Sequence, residues 1–524
     1  TPAAPASAAA APYGPAVAAR FAEPSTQYST PGLAPERRGF TTNSELGQWL
    51  HNIATAAPRG PTQASVLQLG ASQQGEPILG LLLTRAKGMD MASLEANGRS
   101  TVVLIGQQHG DEPAGSEALL VVARELAQGL LEPLLDRINV VVIPRANPDG
   151  ATNGNRTTAN GVDMNRDHLL LNTPEARALA RVVRDYRPIL VLDAHEFTVA
   201  GRYLQKFNAI QRYDALLQYT TTANYHEFLT KASQEWYHQP MLGALQSQGM
   251  SSEWYYTTST QPDDKRISMG GVQPDTGRNV NGLKNAVSLL VETRGVGLGR
   301  LHIQRRVHTQ VTTITSALRS TAERAADLEQ VRSYVARDTA SKACKGQVVI
   351  EAQATPMQRE LTMLDPDTGA DRTLKVDWNS SLALRPVKSR PRPCGYWLAA
   401  HATAAVERLQ MLGVQVLRIA EPGALLADTY HETARETTER TDVRGTIAGG
   451  SSIIRTQVTP VRSAIDVPAG SFYVPLNQGL AHLAVAALEP DTQSSYFANR
   501  LIDELGSTAR VMTVPSLVFE ESDE

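Results

Sequence analysis

The chain of 524 residues is predicted to adopt an α/β fold, in which a buried sheet with crossover connections is flanked by helices. Short apolar runs rich in branched residues recur from about residue 65 onward, and amphipathic stretches separate them. Uninterrupted apolar runs are typical of strands covered on both faces, and strands that alternate with helices form sheets with crossover connections. A change of composition beyond residue 345 indicates a second, mixed α/β region.

Six short runs of apolar and branched residues are predicted strands. They are SVLQLG (65–70), PILGLLL (77–83), TVVLIGQ (101–107), INVVVIP (138–144), PILVLDAH (188–195) and AVSLLVE (286–292). Between them, Gly115–Gln128 and Pro174–Tyr186 are predicted helices. The second has a capping residue, Thr173, followed by a proline at its first position. Because ligands of such sheets gather at the carboxyl ends of the strands, we expect the functional residues there.

The length of the chain predicts about two to four domains, at roughly 150 residues each. An Ala/Pro-rich segment comes first, at 1–40, and the main α/β domain is predicted at 41–310. A helix predicted from Gln310 to Val335 forms a connector at 311–345. The remaining residues, 346–524, are predicted to form an accessory mixed α/β domain.

Two stretches of the accessory region carry clear local signals. Ala399–Leu412 is a predicted helix, because it is amphipathic and Gly413 follows it. The run His431–Asp442 (HETARETTERTD) is almost wholly charged and polar. We therefore expect it to be a solvated loop or an exposed helix face.

Composition excludes several classes of protein. The chain has 50 basic and 53 acidic side chains, a formal charge of −3, whereas a nucleic-acid-binding protein needs a cationic face. No window reaches about 18 consecutive apolar residues, so no membrane span is predicted. The two cysteines, Cys344 and Cys394, are too few for a Cys-rich metal framework, and they form either one disulfide or two buried thiols. The oligomeric state is left open.

The amino-terminal residues indicate the compartment. The sequence starts at Thr1 rather than Met, and residues 1–20 are rich in Ala and Pro without the apolar core of a signal peptide. Small residues of this kind often follow a signal cleavage site. We therefore expect a periplasmic or secreted protein, with a cytosolic protein that carries a low-complexity leader as the alternative.

Three side chains at predicted strand ends have the chemistry of metal ligands. His109 and Glu112 lie three residues apart in the turn after TVVLIGQ, and His195 ends PILVLDAH. Two histidines and one carboxylate are the protein ligands of many catalytic zinc sites, which keep the fourth position open. Each signal alone is weak, because His-x-x-Glu is common in surface turns and a histidine that ends an apolar strand is more often structural.

Further motifs lie between and beyond these residues. They are Asn-Pro-Asp-Gly at 147–150, an isolated Arg156, Gly-Val-Asp-Met-Asn-Arg at 161–166, and Leu-Leu-Val-Glu-Thr at 289–293. In this order, together with the ligand triplet, they resemble the zinc carboxypeptidase family, in a bacterial-type form, over about residues 45–310. The resemblance implies a mixed, mostly parallel sheet flanked by helices. It also implies a zinc metallocarboxypeptidase that acts on a peptide substrate, with one Zn²⁺ per chain bound by His109, Glu112 and His195.

The resemblance implies roles for two catalytic side chains. Zinc would lower the pKa of a bound water to about 7 and polarise the scissile carbonyl. Glu292 matches the family's general base, which takes the proton of that water and passes it to the leaving amine. Arg156 matches the arginine that stabilises the tetrahedral oxyanion. A solvent-facing strand terminus and an ordinary surface arginine are the alternative interpretations of these two residues.

The resemblance also implies which residues bind the substrate and which carboxylate supports a metal ligand. Asn165 and Arg166 match the pair that binds a free C-terminal carboxylate, for which a planar guanidinium is well suited. A blocked C terminus would leave that arginine unpaired, which makes the enzyme an exopeptidase. Asp163 matches the carboxylate that orients a ligand histidine, with Asp193 and Glu196 as the alternatives.

The chain also departs from the family pattern. The family's mobile tyrosine, some twenty residues before the base, has no counterpart in residues 266–285. Tyr255 and Tyr256 are the nearest tyrosines, so that either one replaces it or the role is absent. The side-chain pocket is expected within Ser268–Val280, where Arg278, together with Lys284, is a weak indication of tolerance for acidic side chains.

Two other functions fit parts of this pattern. Zinc amidohydrolases of the same fold act on N-acyl amino acids or cell-wall peptides, although deacylases generally lack the complete carboxylate-binding motif. A non-catalytic binding protein is a more remote alternative, which would predict the loss of a ligand or of Glu292. None of these residues is replaced.

Overall fold

The computed structural model describes residues 11–56 and 60–522. Its α-helices, numbered in chain order, are α1 Pro15–Ala18, α2 Asn43–Thr55, α3 Met91–Asn97, α4 Ala114–Gln128, α5 Pro148–Asn153, α6 Pro174–Tyr186, α7 Gly201–Phe207, α8 Glu227–Ala232, α9 Gln239–Ser247, α10 Gly277–Gly282, α11 Ile303–Ser341, α12 Thr403–Leu412 and α13 Ala481–Leu488. A π-helical segment, Ser233–His238, joins α8 to α9.

The strands are numbered in the same way. They are β1 Gln63–Ala71, β2 Pro77–Thr84, β3 Ser100–Gly106, β4 Ile138–Ile143, β5 Leu190–Thr198, β6 Ala215–Tyr219, β7 Ser252–Trp254, β8 Thr257–Thr258, β9 Ile267–Ser268, β10 Val287–Val296, β11 Gln347–Leu364, β12 Asp371–Pro391, β13 Gly395–Leu398, β14 Leu417–Arg418, β15 Gly423–Thr438, β16 Thr441–Asp442, β17 Gly445–Thr446, β18 Ile453–Val467, β19 Phe472–Pro475 and β20 Thr508–Val511.

The main sheet has the strand order β1-β2-β4-β3-β5-β10-β6-β7. Its centre is parallel, because β3 pairs in parallel with β4 and β5, and β10 with β5. Antiparallel pairs join β1 to β2, β2 to β4, and β10 to β6. All six strands predicted from apolar runs are present, and the predicted mixed, mostly parallel α/β sheet flanked by helices is confirmed.

Alternate residues of the central strands enter two different cores. Val102 and Leu104 of β3 pack in the cluster that contains α4 and α11. Val103 and Ile105, which point the other way, pack in the cluster that contains residues of α3 and α6. Both faces of the sheet are therefore covered, which explains why these strands are apolar without alternation.

The helices next to the sheet follow the predicted signals, with one correction. Helix α6 spans the predicted residues, and the Thr173 hydroxyl accepts a hydrogen bond from the amide of Ala176. Helix α11, however, is much longer than the predicted 310–335 and begins before the predicted connector. Its apolar residues, such as Ile314 and Leu318, are buried in the core that it shares with α4. This helix is thus part of the layer that covers the sheet rather than a simple connector.

The region beyond residue 346 shares structure with the region before it. Strands β11 and β12 form a long antiparallel hairpin, and Trp378 of β12 pairs with Ile267 of β9. A second shared core includes Leu170 and Val280 together with Leu409 of α12. The predicted boundary at 346 stays a prediction, but side chains from both sides of it pack together.

Two local predictions for this region were wrong. Helix α12 begins at Thr403 rather than at Ala399. Residues 431–438, expected to be a loop or helix face, belong to strand β15, which pairs with β18 along its length. Residues 431–438 pair with β18 but not with β20, and most of their side chains are exposed. Their polar composition therefore resembled that of a loop.

Residues 11–40 of the Ala/Pro-rich segment pack on the folded body, whereas residues 1–10 lie outside the described range. Val17 and Phe21 are buried, and the Arg294 guanidinium lies 3.5 Å from the Phe21 ring centroid. Arg20 donates a hydrogen bond of 2.8 Å to Asp371 of β12. This part of the segment therefore contacts residues from both halves of the chain.

The two cysteines form a disulfide, Cys344–Cys394, across a sequence separation of 50 residues. It connects the residues just after α11 to the start of β13, and it decides between the two possibilities that the sequence left open.

Within the described residues, no helix has the length and apolar character needed to cross a membrane.

The disulfide should stabilise the fold by restricting the unfolded chain. For a loop of 50 residues, the chain-entropy relation gives a stabilisation of about 4 kcal/mol. We expect the double variant Cys344→Ser/Cys394→Ser to unfold at lower temperature and lower denaturant concentration than the parent. Reductant should shift the parent in the same way and leave the variant unchanged. Equal unfolding midpoints for the oxidised parent and the variant would contradict this role.

Candidate active site

The three predicted metal ligands converge at one point. The Oε2 atom of Glu112 lies 2.7 Å from Nδ1 of His109, and its Oε1 atom lies 3.0 Å from Nδ1 of His195. All three side chains are buried, and their ligand atoms lie within 4.8 Å of one another. Two imidazole nitrogens and one carboxylate oxygen, directed at a shared point, fit a zinc ion with an open fourth position.

Strand register places the proposed base beside this cluster. His195 and Glu292 are directly paired residues of the parallel strands β5 and β10. Both strands continue beyond these residues, to Thr198 and Val296, so the prediction that His195 and Glu292 end their strands was wrong. Since Val291 packs on the α11 side of the sheet, the alternating pattern directs Glu292 to the opposite side.

The turn that carries His109 is held by the Asn-Pro-Asp-Gly loop. Asn147 donates a hydrogen bond of 3.1 Å from Nδ2 to the carbonyl oxygen of Gln108. Gly110 packs so closely that a Cβ atom there would overlap the backbone of Gly150. This close approach explains why a glycine lies between the two ligands of the turn.

Each ligand histidine has a second carboxylate behind it. Asp163 Oδ1 lies 2.9 Å from Nε2 of His109, and Asp193 Oδ2 lies 2.9 Å from Nε2 of His195. Burial tends to raise the pKa of Asp163, but Arg156 and His109 hold it well below its usual range. The residue chosen from the sequence, Asp163, thus contacts one histidine, and its alternative, Asp193, contacts the other. Such contacts orient the imidazole toward a metal.

A buried relay behind His195 was missed by the sequence analysis. His168 lies 2.7 Å from Oε1 of Gln108, whose Nε2 donates a hydrogen bond of 2.7 Å to Asp193. Burial lowers the pKa of His168 to about 4, so its imidazole is neutral at neutral pH and can donate to the glutamine. No local motif indicates this relay, because it joins three separate segments of the chain.

Arg156 is fixed in place by Asp163. Its Nε and Nη2 atoms lie 3.0 and 2.9 Å from Oδ2 of that carboxylate. The remaining nitrogen, Nη1, lies 3.8 Å from Oε2 of Glu112, at the edge of the ligand cluster. Arg156 therefore directs a guanidinium nitrogen toward the ligand cluster.

Asn165 and Arg166 line the same pocket. The Asn165 side-chain oxygen accepts a hydrogen bond of 2.9 Å from the amide of Gly277. Arg166 donates from Nε to Asp442 at 2.8 Å and from Nη1 to the Asn165 carbonyl at 2.8 Å. Burial alone would lower the pKa of Arg166, but Asp442 and Asp163 raise it, so the guanidinium is charged.

Glu292 and Glu196 occupy neighbouring strands and have different surroundings. Glu292 lines the pocket, and within residues 11–56 and 60–522 its carboxylate accepts no hydrogen bond. Burial raises the pKa of Glu292 to about 8. Glu196 instead accepts two hydrogen bonds of 2.9 Å from Arg306 and one from Thr293. Of these two glutamates, only Glu292 therefore has a carboxylate without a hydrogen-bond partner among the described residues.

Comparison with known proteins agrees with this geometry. Residues 46–273 match the family model described as zinc carboxypeptidase. This chain contains a zinc carboxypeptidase domain. Proteins of this family depend on zinc, and the enzyme class is that of the metallocarboxypeptidases, which hydrolyse peptides. The domain lies within the range that the sequence motifs indicated.

Named relatives match different shares of the chain. Carboxypeptidase 2 of Trichophyton rubrum is 27% identical over 399 residues, which cover 75% of this chain and 72% of the relative. Carboxypeptidase D of Mus musculus is 29% identical over 228 residues, covering 36% of this chain and 16% of that protein. Among solved structures, carboxypeptidase A of Helicoverpa armigera matches with 14% identity and a TM-score of 0.40, covering 56% of this chain and 78% of its own.

The carboxypeptidase domain has an aromatic wall whose members differ in role. Trp254 stacks on His238, with ring centroids 3.9 Å apart. Tyr256 is buried, and its hydroxyl donates a hydrogen bond to Gln211. Tyr255, in contrast, is half-buried and lines the pocket. Of the two tyrosines nearest to the missing family position, only Tyr255 therefore keeps an unbound hydroxyl among the described residues.

The pocket has a cavity volume of about 90 Å³, and part of its wall was not predicted. Gly271, Thr276 and Arg278 come from the stretch expected to form the side-chain pocket. Val443 and Arg444 come from the second half of the chain, just after the run His431–Asp442, and no role was predicted for them. No signal in the local sequence indicates that these two residues reach the carboxypeptidase site.

We expect one zinc ion per chain, bound by His109, Glu112 and His195. Replacing His195 by Ala should abolish stoichiometric zinc in the purified protein, measured by mass spectrometry of the metal, whereas His51→Ala, on the exposed face of α2, should leave it unchanged. Asp193 and Glu112 raise the pKa of His195 despite its burial, so protons compete with the metal. Zinc affinity should therefore fall as the pH is lowered. Full zinc content in His195→Ala would contradict the ligand set.

Proposed function

We propose that the protein is a zinc-dependent exopeptidase that hydrolyses the C-terminal bond of peptides with a free carboxylate. The observation that carries this proposal is one pocket lined by His109, Glu112 and His195 together with Glu292 and Arg166. A metal-ligand cluster, a carboxylate with a raised pKa and a charged guanidinium are the parts that this reaction needs.

The pocket residues divide the reaction between them. Zinc bound at the cluster supplies a Lewis acid for the scissile carbonyl and a lowered pKa for water. Glu292 removes a proton from the attacking water, whose oxygen bonds to the carbonyl carbon. The same carboxyl group then gives that proton to the nitrogen as the carbon–nitrogen bond breaks. The surroundings of Glu292 support this role, because no described residue competes for its carboxylate.

Four further side chains contact the substrate in this proposal. Arg156 donates to the oxyanion that develops on the carbonyl, since its Nη1 atom faces the ligand cluster. Asn165 and Arg166 bind the terminal carboxylate through the amide and the guanidinium. Tyr255 covers the bound peptide from the aromatic wall.

We also propose that the protein is exported, to the periplasm or the medium. The disulfide Cys344–Cys394 supports this, because structural disulfides persist mainly in oxidising compartments.

Replacing Glu292 by Gln should leave zinc bound and lower kcat by about 100- to 10,000-fold, since proton transfer and leaving-group protonation are lost together. Steady-state hydrolysis and metal content of the same preparation check this expectation. Glu235→Gln, an exposed change elsewhere, serves as the matched control. Near-normal turnover of Glu292→Gln would mean that another group, with Glu196 the first candidate, is the base.

A peptide with a free C terminus should be cleaved about ten- to a thousandfold better in kcat/KM than its amide, because a neutral amide cannot accept the charge-assisted hydrogen bonds that a carboxylate would accept from Arg166. Arg166→Ala should remove most of this difference while keeping zinc, and Arg319→Ala, an exposed arginine of α11, should keep it. Equal cleavage of acid and amide by the parent protein would contradict exopeptidase action. It would favour an amidohydrolase acting on N-acyl amino acids or cell-wall peptides.

A further inference from the structure

One wall of the pocket is built by a segment from the second half of the chain, residues 440–449, which we call the 440–449 segment. It contains the short hairpin β16–β17 and lies between β15 and β18. Ala448 accepts a hydrogen bond of 3.2 Å from the amide of Asp163, and Arg440 donates one of 2.8 Å to the carbonyl of Arg166. The segment is thus attached directly to the loop that carries Asp163 and Arg166.

Asp442 of this segment binds the guanidinium of Arg166. Its Oδ2 atom accepts from Nε of Arg166 at 2.8 Å, and its Oδ1 atom accepts from the amides of Arg444 and Gly445 at 2.8 and 3.2 Å. The same carboxylate therefore orients Arg166 and fixes the turn that follows it. As a result, the backbone amide of Arg444 is hydrogen-bonded to the carboxylate that binds Arg166, and the Arg444 side chain lines the pocket.

Arg444 differs from the other arginines of the pocket because, among the described residues, its guanidinium has neither an ion-pair partner nor a hydrogen bond. Arg202 and Arg278 form no ion pair either, but each donates to backbone carbonyl oxygens. Arg156 is paired with Asp163, and Arg166 is paired with Asp442. Across the parts of the chain that the structure describes, the Arg444 guanidinium forms no salt bridge and donates no hydrogen bond. Burial has the largest effect on the pKa of Arg444 and lowers it, and the nearby charges of Arg156 and Arg202 lower it further. This direction agrees with the absence of an anion next to the guanidinium.

An unpaired cation in a partly desolvated pocket is unfavourable until an anion binds there. The terminal carboxylate of a peptide supplies only one negative charge, which the proposed function assigns to Arg166. The acidic groups nearest to Arg444 are not available to pair with it, because Asp442 binds Arg166 and Glu292 is the proposed base. A second carboxylate, carried by the substrate, would give the Arg444 guanidinium the partner that it lacks.

We propose that Arg444 is a specificity-determining residue that binds an acidic side chain of the peptide substrate. This inference rests on the proposed exopeptidase function and adds a substrate class to it, namely peptides with Asp or Glu next to the scissile bond. It also gives the second half of the chain a direct part in substrate recognition.

Arg444 also acts on Glu292, because its charge lowers the pKa of that carboxyl group against the effect of burial. If Arg444 acted only through Glu292, its loss would slow every peptide equally and would move the pH profile. If it binds the substrate, its loss would slow acidic peptides and spare neutral ones. Isosteric peptide pairs separate the two roles.

The test uses zinc-loaded full-length protein and peptides with a free C terminus, in pairs that differ only by Glu or Gln at the last or the second-last position. For the parent, we expect kcat/KM to favour Glu over Gln by about ten- to a hundredfold at one of these positions. Arg444→Gln should reduce that ratio to about one with little change for the Gln peptide, and Arg444→Lys should retain part of it. Arg319→Gln is the matched control on an exposed helix face.

Binding provides a second readout that does not depend on turnover. In the background of Glu292→Gln, calorimetric titration should give the same preference for the Glu peptide, and Arg444→Gln should remove it. A Glu/Gln ratio near one in the parent at both positions would overturn the Arg444 proposal while leaving the exopeptidase function standing. So would a ratio that Arg444→Gln leaves unchanged, or an equal loss for both peptides. No cleavage of any free-carboxylate peptide by the zinc-loaded parent would overturn both proposals.

Discussion

The buried carboxylate of Asp163 connects the groups on which the pocket depends. One of its oxygens lies 2.9 Å from Nε2 of His109, and the other accepts a hydrogen bond of 3.0 Å from Nε of Arg156. A carboxylate buried without partners would be costly, but these contacts keep Asp163 charged. The amide of Asn165 also donates to it, at 3.0 Å. A proposed metal ligand, the proposed oxyanion donor and the start of the carboxylate-binding pair are thus positioned by one side chain.

The parallel register of β5 and β10 provides the other half of the geometry. It pairs His195 with Glu292, so that a metal ligand and a carboxyl group of raised pKa lie side by side on the same face of the sheet. The adjacent carboxylate, Glu196, points to the other face and is neutralised by Arg306. Strand alternation alone therefore separates two neighbouring glutamates into one that is exposed to the pocket and one that is structural.

The second half of the chain completes the carboxypeptidase pocket rather than standing beside it. Strand β12 extends a sheet that begins with β8 and β9, and the 440–449 segment supplies Asp442 to Arg166. Charge explains the importance of this contact, since a buried guanidinium without an anion would lose affinity for its proton. The arrangement couples the formation of the proposed substrate site to the folding of both halves.

The sequence by itself determined the α/β class, six strands of the main sheet, helix α6 and the candidates for the metal and the base. These features depend on local patterns, namely uninterrupted apolar runs, a Thr173–Pro174 helix start and motifs that keep their spacing. Only the tertiary structure decided that Asp193 contacts His195, that residues 431–438 form a strand, and that Asp442 meets Arg166, 276 residues earlier in the chain. Such contacts leave no local periodicity, because they are formed only when distant segments pack together and their charges must be paired away from water.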